Sequence, residues 1–80
     1  MDELIGFVLG SKQREKVMQV LVSRGASGAD RIAKMGHLTT LSVKRTLGEM
    51  AGKGLIQETG HMWDLTDLGV EVQKEMKKRP

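Results

Sequence analysis

The sequence predicts a mainly α-helical domain carrying one small β-hairpin, and three observations carry that prediction. Apolar residues recur at three- and four-residue spacing along most of the chain. The period breaks once, at residues 55–65, into a two-residue alternation around a Thr-Gly pair. Side chains suited to cap helices stand just ahead of the periodic stretches, at Ser11, Thr39 and Thr66. Eighty residues hold one domain, spanning 1–80. A chain of that length buries a thin core and gains stability if it oligomerises.

From the N-terminus, Leu4, Ile5, Phe7, Val8 and Leu9 are too apolar for a free tail. This stretch must be covered by its own domain or by a partner chain. Ser11 then opens a helix over about 11–23, with Val17, Met18, Leu21 and Val22 at helical spacing, and Arg24-Gly25 ends it. Ser27 and Asp30 form a weak capping box for a short helix over about 28–36, whose Ile32 and Ala33 face inward. Gly36 stops that helix, and His37 and Leu38 make the turn. Thr39 caps a third helix, about 39–53, with Val43, Leu47 and Met50 on one stripe. Gly48 and Gly52 weaken it, by about 1 kcal/mol each relative to Ala where exposed.

Leu55 to Glu58 reads as a strand, Thr59-Gly60 as a two-residue turn with glycine second, and His61 to Leu65 as the return strand. Alternation puts Trp63 and Leu65 on one face and Met62 and Asp64 on the other. Thr66 caps a last helix over about 66–78, with Leu68, Val72 and Met76 on one stripe and Lys77, Lys78 and Arg79 suiting its C-terminal dipole. The order is helix, helix, turn, helix, hairpin, helix. Two short helices across a tight turn make a helix-turn-helix, and the hairpin after it is a wing.

Composition narrows the function. There is no cysteine, so disulfides and thiolate metal sites are unavailable. The two histidines, His37 and His61, lie far apart and have no familiar metal spacing, so no metal is expected. No cofactor or enzymatic activity is expected either, because no nucleophile set or Gly-rich phosphate loop is present. No apolar run approaches the length of a membrane span, and the acidic start, Asp2-Glu3, is unlike a signal peptide, so a cytoplasmic protein is expected. The net charge of +3 hints at a polyanionic partner, and its distribution sharpens the hint. Lys12, Arg14, Lys16 and Arg24 face only Glu15, and Lys34, Lys44, Arg45 and Lys53 face only Glu49, whereas Glu58, Asp64 and Asp67 make the wing acidic.

Four segments resemble small archaeal winged-helix regulators, which are related in fold to the MarR and ArsR types of repressor. The run Phe7-Val8-Leu9-Gly10-Ser11-Lys12-Gln13-Arg14 with Val17-Met18 resembles their opening. Leu38-Thr39 through Val43-Lys44-Arg45-Thr46-Leu47 resembles their recognition helix, and Lys53-Gly54-Leu55-Ile56 the junction into the wing. Leu65-Thr66-Asp67-Leu68-Gly69 resembles the exit into the final helix. The resemblance implies a winged helix-turn-helix domain that binds double-stranded DNA as a transcriptional regulator, commonly as a homodimer on palindromic sites. The recognition helix would enter the major groove with its N-terminal residues at base edges.

Carried onto this chain, the DNA-facing candidates are Thr39, Thr40, Leu41, Ser42, Lys44 and Arg45. Arg45 suits the O6 and N7 edge of guanine, whereas Leu41 suits either a thymine methyl or an apolar contact in the core or with a protein. Lys12, Arg14 and Arg31 are candidates for phosphate neutralisation. The wing tip, Glu58-Thr59-Gly60-His61, departs from the pattern by lacking Arg and Lys. His61 adds positive charge there only when protonated. The N-terminal apolar segment and the last helix, with Val70, Val72 and Met76, are candidates for a homodimer surface. The alternative function is a winged helix serving protein–protein contact without DNA binding. RNA binding is disfavoured, because one Trp and one Phe leave little for base stacking.

Overall fold

Residues 1–78 are described in the structure, a computed structural model. They form α1 (Asp2–Leu9), α2 (Lys12–Arg24), α3 (Ala29–Gly36), α4 (Thr40–Gly52), β1 (Ile56–Thr59), β2 (Met62–Leu65) and α5 (Asp67–Lys77). The architecture is mainly helical with a small antiparallel two-stranded hairpin. Arg79, expected to complement the dipole of the last helix, lies outside the described residues. No described helix is long and apolar enough to cross a membrane.

The apolar N-terminal stretch is itself a helix, an element absent from the predicted order. Its Ile5 and Val8 are buried in the chain's own core, with Leu4 and Phe7 packed against that core. Ser11 caps α2 as expected, its Oγ accepting the Arg14 amide at 3.4 Å. Val17, Met18, Val20 and Leu21 point inward from α2, but Val22 is 41% exposed because no element among the described residues covers that flank.

Ser27 does not cap α3. The N-cap is Gly28, with no side-chain bond. Ser27 is instead buried, and its backbone exchanges two bonds with Trp63, Ser27 N to Trp63 O at 2.9 Å and Trp63 N to Ser27 O at 2.8 Å. The loop before α3 therefore adds a bridge to the outer edge of the hairpin. A buried backbone amide needs a partner, and this pairing outcompetes the local cap. Ile32 and Ala33 are buried as expected.

His37, at φ 56°, takes the left-handed conformation that closes α3. The Leu38 amide reaches back to Ala33 O at 2.8 Å and the His37 amide to Lys34 O at 3.4 Å. This six-to-one and five-to-two pairing is a Schellman closure, and it turns the chain sharply into α4. Leu38 packs against the core from the turn. Thr39 then caps α4, its Oγ1 accepting the Ser42 amide at 3.1 Å.

Val43, Leu47 and Met50 are buried on α4, joined by Thr46. The strand register pairs Thr59 with Met62, so the two-residue loop is Gly60-His61 and not Thr59-Gly60. Gly60, at φ 66°, occupies the first loop position. A first-position glycine of positive φ with an ordinary second residue is the type II′ pattern that suits strand twist. Trp63 and Leu65 are half-buried against the core and Met62 and Asp64 are exposed, as alternation required. Thr66 caps α5, its Oγ1 accepting the Gly69 amide at 3.0 Å. Val72 is fully buried on α5, but Leu68 is 38% exposed, and buried Gly69 takes the inward position of that turn.

Candidate nucleic-acid interface

The outward face of α4 follows from its inward one. With Val43, Thr46, Leu47 and Met50 buried, successive 100° steps leave Leu41, Lys44, Arg45 and Gly48 on the opposite side. All four are exposed. Thr39 is also exposed at the cap, whereas Thr40 and Ser42 are half-buried. Six of the residues expected at this surface, Thr39, Thr40, Leu41, Ser42, Lys44 and Arg45, thus share the N-terminal half of one helix.

Hydrogen bonding decides which of them are free to act. The Thr39 hydroxyl is spent on the Ser42 amide. The Thr40 hydroxyl donates to Asp30 Oδ1 at 3.4 Å, tying the start of α4 to the start of α3. Among the charged groups, Lys44 and Arg45 make no ion pair within 4 Å to a described residue. Arg31 follows Asp30 on α3 and is exposed. Lys12 is exposed at the start of α2, next to Gln13, whose Oε1 lies 3.2 Å from the Thr46 hydroxyl.

Arg14, expected among the phosphate-neutralising cations, makes contacts within the chain. Its Nη1 donates to Phe7 O at 2.8 Å, its Nε faces Glu49 Oε1 at 3.3 Å, and its Cζ stacks 4.0 Å from the centre of the Phe7 ring. The guanidinium thereby clamps α1 and α4 onto α2. Sequence reading missed this because Arg14 and Glu49 are 35 residues apart. The aromatic Phe7 seven residues before Arg14 was the available signal.

A surface groove separates the α3 and α4 start from the hairpin. Asp30, Lys44, Glu58, His61 and Trp63 line it. His61 therefore does share a site with Lys44, but two carboxylates share it as well. Around this groove the hairpin contributes Glu58 and His61 and no Lys or Arg. A second groove, on the flank left by Val22, is lined by Leu9, Met18, Val22 and Met76, with Glu15 and Lys77 beside them. No protein-family profile and no curated protein sequence matches the chain.

Proposed function

We propose that the chain is a winged helix-turn-helix domain that binds double-stranded DNA and regulates transcription, with α4 as its recognition helix and the β1–β2 hairpin as a short wing. The reading keeps the resemblance to small archaeal winged-helix regulators and a cytoplasmic site of action. One observation supports it: an outward α4 face bearing Lys44 and Arg45, with no ion pair among the described residues, directly after the tight turn that closes α3. Thirteen residues give α4 a length of about 20 Å, and the major groove, about 12 Å wide, admits such a helix. Arg45 is the candidate for a guanine edge, while Lys44, Lys12 and Arg31 neutralise phosphates.

A homodimer completes the reading. Its surface is the groove of Leu9, Met18, Val22 and Met76. Glu15 and Lys77 line that same groove, so a two-fold arrangement allows each carboxylate to meet the other copy's ammonium group. Two modules would supply the contacts that one lacks. The second reading, a protein-docking winged helix, is favoured by the carboxylates Asp30 and Glu58 beside Lys44.

The test is a titration of random-sequence duplex DNA at two salt concentrations. Affinity should fall with salt at a log–log slope of about −3 or steeper, at roughly −0.9 per phosphate neutralised. Lys44→Glu with Arg45→Glu should abolish binding while leaving the circular dichroism spectrum intact, because both side chains are exposed. Absence of binding at low salt rejects the DNA reading and supports the protein-docking one.

A further inference from the structure

Leu41 is the most exposed large hydrophobic side chain among the described residues, at 72%. It is the second residue of α4, in the turn whose two neighbouring threonines are already engaged, Thr39 with the Ser42 amide and Thr40 with Asp30. Leu41 is therefore the apolar first-turn side chain that projects into solvent, beside a half-buried Ser42. One turn further along the same face stand the two cations, Lys44 and Arg45. Beyond them is exposed Gly48, where an added Cβ would meet nothing within 4 Å. The face is thus a single apolar tip, two positive charges and a flat stretch of backbone.

That combination suits one surface. An apolar patch on a protein would cover Leu41 but offer Lys44 and Arg45 beside it no oppositely charged partner. In the DNA major groove both cations meet phosphates or base edges, and the thymine C5-methyl is the apolar group displayed on the bases. We propose that Leu41 packs on a thymine methyl, so that each protomer selects a site containing an A·T pair opposite the first turn of α4. The inference rests on the DNA-binding reading and adds to it the identity of one base.

The experiment removes the methyl from the DNA. Duplexes selected from a randomised pool by the whole protein are remade with each thymine replaced in turn by deoxyuridine, which lacks only that methyl. At one position per bound protomer the affinity should fall about fourfold, the equivalent of ~0.8 kcal/mol for one buried carbon. Leu41→Ala should bind thymine and uracil equally at that position while keeping the salt slope of the parent and its melting temperature. A selected consensus indifferent to uracil everywhere overturns the role of Leu41 and leaves DNA binding standing. So does Leu41→Ala with undiminished thymine preference, or salt-dependent binding with no consensus. Absence of any salt-dependent binding rejects both readings together.

Discussion

Replacing Gly69 with alanine should loosen the junction between the hairpin and α5. A methyl group there would fall inside contact distance of the Leu55 carbonyl oxygen, and 3.2 Å from both the Leu55 carbonyl carbon and Leu65 Cδ2. Leu55 O is backbone and cannot rotate aside, so α5 has to lift. Three bonds cross this junction: Thr66 N to Leu55 O at 3.0 Å, Gly69 N to Thr66 Oγ1 at 3.0 Å, and the Thr66 hydroxyl to Gly54 O. Losing one costs about 1 kcal/mol, and overpacking adds about 1–3 kcal/mol. Alanine's better helix propensity returns about 1 kcal/mol. The net loss is about 1–3 kcal/mol, or a melting temperature lower by on the order of 5–20 °C in a domain of this size. Gly48→Ala is the matched control, since its Cβ meets nothing and should add up to about 1 kcal/mol. Urea unfolding followed by circular dichroism reads both. A Gly69→Ala protein as stable as the parent would refute the argument that Cβ space at this junction sets stability.

Two further outcomes follow from the remaining contacts. Arg14→Lys should cost about 1–2 kcal/mol, because lysine keeps the charge but loses the fork that spans Phe7 O and Glu49; Glu49, at 43% side-chain exposure, contributes the smaller part. Arg14→Gln, which removes the charge, should leave the salt slope of DNA binding unchanged, and a slope shallower by about one would return Arg14 to the phosphate set. Val22→Glu should leave the monomer folded, since Val22 is exposed, and should shift sedimentation toward the monomer by placing a charge in the Leu9–Met76 groove. Unaltered sedimentation of a dimer would move the dimer surface elsewhere.

The helices with a strong apolar period were legible from the sequence because period and cap agree. Ser11, Thr39 and Thr66 each bond the amide three residues on, as cap residues ahead of a periodic stripe should. The outward face of α4 was legible for the same reason, since Val43, Leu47 and Met50 leave Leu41, Lys44 and Arg45 no other side. What escaped was set by distant pairing. Ser27 looked like a cap because Asp30 stands three residues on, yet its amide is claimed by Trp63. The hairpin loop moved by one residue because pairing Thr59 with Met62 puts Gly60, not His61, at the position of positive φ. Leu68 fitted the stripe by spacing alone, but close approach to Leu55 admits only Gly69 at the inward point of that turn.

These same distant contacts bear on how α4 would work. Thr40 ties its first turn to Asp30 on α3, the Thr46 hydroxyl shares its proton between Ser42 O at 2.9 Å and Gln13 on α2, and Glu49 is held by Arg14. Each tie lies about one to two turns from the next, so α4 is anchored along its length to two other helices. A helix fixed in this way has little rotational freedom to lose when it enters a groove, which lowers the ordering cost of binding. The hairpin lacks comparable ties at its tip, where Gly60 and His61 are fully outside the core. Binding energy should accordingly concentrate in α4, and substitutions at Glu58 or His61 should change affinity far less than those at Lys44 or Arg45. Equal losses at the hairpin tip, measured in the same duplex titration, would show that the hairpin carries a share of the recognition that its charge argues against.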